Sequence, residues 1–273
     1  MKRIERKFSD LKQAGQTAFV AYICAGDPNL ETSFEILKAL PKAGVDIIEL
    51  GVPFLDPAGD GPIIESASKR AVEGGMNLSK TLKMVADFRK IEDSTPILLM
   101  GYYNNFLRYG LNKFFTDAQN SGVDGVLIVD LPLEERDEIY SEISKTNIDL
   151  INLVAPLTDE ARIKKIADEK YSSGFLYLVS MLGITGTKQA NIEDNKINLQ
   201  KIRENSKLPV VIGFGIQTPD QAQEFSKIGA DGVVVGSTIV KEIANNFLAK
   251  NSQQEIVKNV IKKIEEFSKA IKN

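Results

Sequence analysis

The chain of 273 residues contains no histidine. Ser-His-Asp triads, Cys-His pairs and zinc sites of the His-Glu-x-x-His type all need this residue, so the sequence excludes them. If the protein is an enzyme, proton transfer must fall to Asp, Glu, Lys or Tyr side chains.

Cysteine is almost absent as well. The single cysteine, Cys24, excludes an internal disulfide and a structural zinc site, and it fits a reducing compartment. Cys24 lies in an apolar segment, so we expect it to pack in the core rather than to react. We therefore expect a cytoplasmic protein.

Long apolar runs and a large excess of one charge are also missing. The longest apolar runs, such as 18–25 and 97–100, are far shorter than the ~20 residues that span a bilayer. The first residues, MKRIERKFSDL, include no continuous apolar segment of the kind found in secretory signals. A net charge of −3 argues against nucleic acid or an anionic membrane as the main partner.

Short β-branched runs alternate with longer amphipathic segments along the whole chain. Helices are predicted between the strands, for example at 30–43, 78–91, 134–145, 159–169 and 219–228. The strands read as continuous apolar runs, which is typical of parallel strands buried on both faces. This pattern predicts an α/β fold, a single (β/α)8 TIM barrel domain over residues 1–273. The eight predicted strands are 18–24, 46–50, 97–101, 125–129, 150–154, 175–179, 210–213 and 232–235.

Both ends of the chain carry helical patterns outside these eight units. Apolar residues at helical spacing predict an N-terminal helix and a further helix over 253–271. A doubly wound sheet is the alternative fold. Its dinucleotide-binding fingerprint is missing, because Gly213-Phe214-Gly215 is followed by Thr218 where a third glycine should stand.

Two carboxylates stand out in the segment 46–62. Strand alternation places Glu49 on the same face as Ile47, where a buried carboxylate is costly unless it has a use. Asp60 lies on the following loop, which is rich in glycine and proline. Together Glu49 and Asp60 could form an acid/base pair. Alternatively, Glu49 is a structural carboxylate paired with Lys or Arg, and Asp60 merely caps the next helix.

Glycines follow the last three predicted strands. Glycine lets a backbone approach an anion closely, and the loops after strands seven and eight commonly bind phosphate in this fold. We therefore expect a phosphorylated substrate, although tight turns and a helix-capping serine would explain the same residues. The predicted phosphate-binding residues are Gly186, Gly215, Gly236 and Ser237.

The remaining candidates lie at or beyond strand ends, where this fold places its active site. Core packing is the default for the apolar ones, but residues at strand ends can equally form the wall of a site for an aromatic substrate. The predicted residues for the non-phosphate part of the substrate are Tyr22, Met100, Tyr102, Leu127, Val129, Tyr177, Thr185 and Phe214.

Several motifs occur in the order and at the spacing of a known family. They are AGDP at 25–28, IELGVPF with DP and DGP at 48–62, MGYYN at 100–104, GVDGVLIVDLPLEE at 122–135, YLVS and GITG within 177–186, and GFGI and GVVVGS within 213–237. With these motifs the chain resembles the α subunit of tryptophan synthase, from near its start to about residue 240. The family's fold is a (β/α)8 barrel.

The resemblance implies retro-aldol cleavage of indole-3-glycerol phosphate to indole and glyceraldehyde 3-phosphate. By motif, Glu49 would protonate the ring carbon and take the proton of the glycerol hydroxyl. Asp60 would receive the indole N–H, and Tyr177 would help to hold Glu49. The resemblance further implies an αββα complex with a β subunit, which binds pyridoxal phosphate; no cofactor or metal is expected in this chain.

The sequence departs from the family pattern beside Asp60 and after strand six. The family usually reads PFSDPLADGP, whereas this chain has Leu55, Ala58 and Gly59 at three of these positions, and Met181 follows strand six. We expect Gly59 to loosen the loop, and we expect low activity without the partner. There are two alternatives: another phosphate-binding barrel enzyme, or a regulatory subunit without catalysis. The first would usually need a catalytic lysine at a strand end, and no strand end has one.

Overall fold

The computed structural model describes residues 1–168, 170, 172–180 and 192–272. Eight parallel strands close into a barrel in chain order, with the eighth strand paired to the first. The barrel predicted from the sequence is therefore confirmed, and a doubly wound sheet is excluded. The strands are β1 (Ala18–Cys24), β2 (Ile47–Gly51), β3 (Ile97–Gly101), β4 (Gly125–Ile128), β5 (Asp149–Val154), β6 (Leu176–Val179), β7 (Val210–Gly213) and β8 (Gly232–Val235).

Helices surround the barrel, and those predicted between the strands are found with shorter bounds. Two helices that were not named from the sequence lie between β3 and β4, divided by Gly110, whose φ of 90° interrupts the helical path. The helices of the described residues are α1 (Arg3–Ala14), α2 (Leu30–Ala39), α3 (Pro62–Glu73), α4 (Leu78–Arg89), α5 (Tyr103–Tyr109), α6 (Leu111–Ser121), α7 (Asp137–Ile143), α8 (Glu160–Ile166), α9 (Ile192–Asn205), α10 (Pro219–Lys227), α11 (Ser237–Leu248) and α12 (Gln253–Lys272).

The polar loop predicted after the sixth strand, from 183 to about 195, ends earlier than expected. Helix α9 begins at Ile192, and Glu193 and Asp194 lie in its first turn. Acidic side chains in a first turn interact favourably with the helix dipole, which explains the earlier start. Residues 181–191 lie outside the described part of the chain. Among the described residues, no helix is both long and apolar enough to cross a membrane.

Helix α1 closes the amino-terminal end of the barrel. Its buried residues Ile4, Phe8 and Leu11 belong to the same apolar cluster as the inward-facing strand residues. The Phe8 ring meets Phe175 edge to face, with 5.7 Å between the ring centroids. At the other end of the chain, α12 packs against α10 and α11. The extra helices predicted at both termini are thus confirmed, and α1 leaves the carboxyl ends of the strands as the open end.

A Gly-x-Asp sequence precedes three strands, β2, β4 and β8, and forms the same contacts each time. Asp124 accepts a hydrogen bond from the amide of Ile97 at 2.8 Å, and Arg89 donates both to Asp124 (2.6 Å) and to the carbonyl of Gly122 (2.9 Å). Each motif therefore joins two strands at the amino-terminal end of the barrel. The other two copies are Gly44-Val45-Asp46, which binds Phe19 and Lys272, and Gly229-Ala230-Asp231, which binds Val210 and Arg203.

Candidate active site

A cavity of about 350 Å³ lies at the carboxyl end of the barrel strands. It has a carboxylate end, which contains Glu49 and Asp60, and a glycine-rich end, formed after β7 and β8. The residues that line it are Tyr22, Glu49, Asp60, Ile63, Ile64, Met100, Tyr177, Phe214, Gly215, Ile216, Gln217, Thr218, Val234, Gly236, Ser237, Thr238 and Lys241. The structure thus brings together nine of the residues that the sequence singled out.

Glu49 lies on β2 with only 2% of its surface exposed. Its Oε1 atom has no hydrogen-bond partner among the described residues, and no Lys or Arg of that part forms an ion pair with it. Within the described chain, the alternative of a structural ion pair is therefore wrong. Burial raises the pKa of the Glu49 carboxyl to about 8, and the nearby charge of Asp60 adds to this rise. Near neutral pH, Glu49 consequently keeps its proton.

Asp60 lies on the loop between β2 and α3. The N-cap of α3 is Gly61, so the alternative in which Asp60 caps this helix is wrong. Burial raises the pKa of Asp60 to about 6, and a hydrogen bond from the Tyr102 hydroxyl opposes the rise. Near neutral pH, Asp60 is therefore mostly ionised while Glu49 is protonated. A proton donor and a negative charge face the same cavity.

Tyr102 and Val129 support the Asp60 loop and do not line the cavity. The backbone N–H of Gly59 donates to the Tyr102 hydroxyl at 3.1 Å, and the Phe54 ring stacks on Tyr102. A Cβ atom at position 59 would lie 3.2 Å from Val129. Glycine at position 59 thus allows the loop to approach the β4 end closely.

The glycine-rich end follows β7 and β8. Gly236, not Ser237, is the N-cap of α11, so the alternative in which Ser237 caps the helix is wrong. Phe214 has a φ of 77°, which is rare and strained for a bulky side chain, and the Ser180 hydroxyl donates to its carbonyl oxygen. Backbone strain of this kind is concentrated at functional positions. Gly215 follows directly and lines the cavity.

Tyr177 points from β6 toward β7. A Cβ atom at Gly213 would stand 2.1 Å from the Tyr177 hydroxyl, so only glycine leaves room for this ring. Burial, together with the charge of Glu49, raises the pKa of Tyr177 well above its usual value. No hydrogen bond joins Tyr177 to Glu49 among the contacts of the described chain. The phenol therefore stays neutral and close to the carboxylate.

Three further predicted residues lie elsewhere. Leu127 is buried in the barrel core, away from the cavity wall. Thr185 and Gly186 lie outside the described residues, as does Met181.

Sequence reasoning missed Lys241. This residue stands one helical turn after Ser237 on α11 and lines the glycine-rich end of the cavity. The spacing of four residues on a helix was the available signal. Across residues 1–168, 170, 172–180 and 192–272, no group of three or more His, Cys, Asp or Glu side chains could hold a metal ion.

Comparisons with known proteins identify the family of the chain. The family model of the tryptophan synthase alpha chain matches residues 8–272. The chain is similar to tryptophan synthase subunit alpha from Legionella pneumophila str. Paris, with 34% identity, a TM-score of 0.90, and coverage of 99% of this chain and 98% of that chain.

Two other solved structures are similar over most of their length. One is from the tryptophan synthase a2b2 complex of the hyperthermophile Pyrococcus furiosus, with 35% identity, a TM-score of 0.82, and coverage of 93% of this chain and 97% of that chain. The other is from Mycobacterium tuberculosis tryptophan synthase, with 27% identity, a TM-score of 0.85 and full coverage of both chains. The resemblance noted in the sequence is thereby confirmed, and the chain belongs to the tryptophan synthase alpha chain family.

Proposed function

We propose that the protein cleaves indole-3-glycerol phosphate to indole and glyceraldehyde 3-phosphate. The observation that carries this proposal is the pair of carboxyl groups in one cavity. Glu49 has a pKa of about 8 and Asp60 one of about 6, so a protonated acid and a carboxylate are present together near neutral pH. Membership of the family supports the choice of substrate.

The reaction uses Glu49 twice, first as an acid and then as a base, and Asp60 stabilises the charge formed in between. Glu49 donates its proton to C3 of the indole ring, and the positive charge that develops on the ring nitrogen is stabilised by Asp60. The Glu49 carboxylate then removes the proton of the hydroxyl on the attached carbon. The C–O bond becomes a carbonyl, the C–C bond breaks, and its electron pair returns to the ring. Indole and an aldehyde leave, and Glu49 has regained its proton.

The rest of the cavity suits the two ends of this substrate. Gly236 and Ser237 offer close backbone approach at the start of α11, where a phosphate is favoured, and Gly215 after β7 lines the same end of the cavity. Apolar side chains at the other end, including Met100 and Ile64, suit an indole ring. The reaction as written uses no cofactor in this chain.

We further propose that a pyridoxal-phosphate β subunit binds the carboxyl end of the barrel in an αββα complex in the cytoplasm. Three leucines there are well exposed, and we call Leu55, Leu107 and Leu157 the leucine rim. They are 62%, 50% and 78% exposed and follow β2, β3 and β5. Exposed apolar groups around a site are typical of partner surfaces. A similar chain comes from an a2b2 complex.

The test is indole release from indole-3-glycerol phosphate by the purified chain, with and without a tryptophan synthase β subunit. We expect cleavage that the partner accelerates. Glu49→Gln should lower kcat by roughly 10²- to 10⁴-fold, since it removes a general acid and base. Cleavage at an equal rate in Glu49→Gln would contradict the proposal. Substrate binding without cleavage in any condition would favour a regulatory subunit.

Two controls separate chemistry from folding. Glu73→Gln makes the same change at an exposed helical position and should leave the rate unchanged. Glu49→Gln should melt no lower than the wild type at pH 8. Because the folded pKa of Glu49 is raised, ionisation destabilises the folded state progressively as pH rises from the unfolded pKa toward 8, and glutamine avoids this penalty.

A further inference from the structure

The Tyr22 ring spans the cavity between its two ends. A Cβ atom at Gly236, in the glycine-rich end, would lie 3.3 Å from the Cβ of Tyr22. A Cβ atom at Gly51 would lie only 2.3 Å from the Tyr22 hydroxyl. Gly51 is two residues beyond Glu49 on the same face of β2, and the strand register pairs Tyr22 with Glu49. The ring therefore begins beside the glycine-rich end and places its hydroxyl at the carboxylate end.

The Tyr22 hydroxyl makes no hydrogen bond to any residue in the described part of the chain, although Tyr22 is only 6% exposed. Burial raises the pKa of this phenol well above its usual value, and the charges of Cys24, Asp60 and Glu49 add to the effect. The group is therefore a neutral O–H donor over the whole working range. Tyr22 lines the cavity and its hydroxyl is not fully enclosed by protein, so a ligand in the cavity can form a hydrogen bond with it.

We propose that the Tyr22 hydroxyl hydrogen-bonds the middle hydroxyl of the three-carbon chain that joins the phosphate of the substrate to its indole ring. This inference rests on the proposed function. A ligand with its phosphate at Gly236 and Ser237 and its reacting carbon at Glu49 must lay the carbon chain along the Tyr22 ring. Glu49 uses the hydroxyl on the reacting carbon, so the middle hydroxyl needs another partner. Tyr22 thereby selects a polyol chain over a deoxygenated one.

The test is a double-mutant cycle between the enzyme hydroxyl and the ligand hydroxyl. Dissociation constants are measured by calorimetry in the Glu49→Gln background, where cleavage is blocked, with and without Tyr22→Phe. The two ligands are indole-3-glycerol phosphate and its analogue that lacks only the middle hydroxyl. We expect Tyr22→Phe to weaken binding of the full substrate by about 3- to 10-fold and that of the analogue by less than about 2-fold.

Equal weakening of both ligands, or of neither, would overturn the inference, because Tyr22 would then act only through packing or not at all. Tyr109→Phe removes a phenol hydroxyl that binds Asp117 and does not line the cavity, so it should change neither constant. A selective effect of Tyr22→Phe without any cleavage by the wild type would overturn the proposed function alone. Binding of neither ligand would overturn both.

Discussion

Glu49 and Asp60 show how surroundings give two similar side chains different roles. Glu49 is held on a rigid strand inside the barrel, where burial makes the ionised form unfavourable. Asp60 lies on a loop, where the Tyr102 hydroxyl stabilises its negative charge. The pKa of Glu49 therefore lies above pH 7 and that of Asp60 below it. Glu49 can act as an acid while the ionised Asp60 stabilises a positive charge.

The two pKa values predict a bell-shaped dependence of kcat/KM on pH. As pH rises through about 6, Asp60 loses its proton and gains the charge that stabilises the ring, so the rate rises. As pH rises through about 8, Glu49 loses the proton that it must deliver, so the rate falls. Initial rates of indole release should reach their maximum between these values.

The rise of kcat/KM at acid pH, the acid limb, could also come from the substrate, because a phosphate monoester takes up a proton near pH ~6. In Asp60→Asn the residual activity should lose its dependence on pH below 7 if Asp60 is responsible. An unchanged acid limb in this variant would assign the titration to the substrate and contradict the role of Asp60.

Lys241 adds a positive charge to the glycine-rich end of the cavity. We expect Lys241→Gln to raise KM for the phosphorylated substrate by about 2- to 5-fold with little change in kcat, because an exposed charge contributes up to ~1 kcal/mol. The effect should shrink in high salt, where exposed charges are screened. Lys241→Arg should restore the KM, whereas Lys262→Gln on α12 should match the wild type. A fall in kcat alone would argue against a phosphate contact.

At the scale of elements, the repeated Gly-x-Asp motif joins neighbouring strands at the amino-terminal end of the barrel. Its three copies differ in burial, and Asp124 additionally pairs with Arg3 at 2.9 Å. Asp124 is 7% exposed and pairs with the buried Arg89, whereas Asp231 is 37% exposed and pairs with an exposed Arg203. The same contacts should therefore contribute unequally to stability.

We expect Asp124→Ala to lower the free energy of unfolding by roughly 3 kcal/mol, since it leaves a buried guanidinium without its carboxylate. Asp231→Ala should cost about 1 kcal/mol, the usual value of a lost backbone hydrogen bond with a solvated partner. Urea unfolding of both variants measures the difference. Equal losses would show that burial does not decide the strength of this motif.

At the scale of the whole molecule, the two ends of the barrel have different tasks. Helix α1 and the Gly-x-Asp contacts close and brace the amino-terminal end, while the cavity and the leucine rim occupy the other end. Stability and activity are thus carried by separate sets of residues. Substitutions at the leucine rim should consequently weaken binding of the β subunit without lowering the stability of the fold.

Leu157→Asp should weaken association with a β subunit by about 10- to 100-fold, because it removes ~2 kcal/mol of apolar burial and adds a charge at the interface. Calorimetric titration of the β subunit measures the change. Leu248→Asp is the control, since Leu248 is 74% exposed but ends α11 near the opposite end of the barrel. If both variants weakened association with the β subunit equally, the leucine rim would not be its binding surface.

Much of the barrel could be predicted from the sequence. The bounds of β1, β3, β7 and β8 agree with the prediction to the residue. The other strands differ by one residue, at both ends for β2 and at one end for β4, β5 and β6. Helix ends were predicted less well: α2 ends at Ala39, before the predicted position 43. Helix ends depend on tertiary contacts that the local pattern does not contain.

The sequence alone determined the barrel, the position of Glu49 on the same strand face as Ile47, and the exclusion of histidine chemistry. Each of these depends on local periodicity or on composition, which a single segment or a count reveals. Only the tertiary structure decided that Tyr102 holds the Asp60 loop, that Lys241 reaches the cavity and that the Tyr22 hydroxyl lies beside Gly51. These facts depend on groups far apart in the chain, and burial, pKa and hydrogen bonding arise only when closure of the barrel brings such groups together.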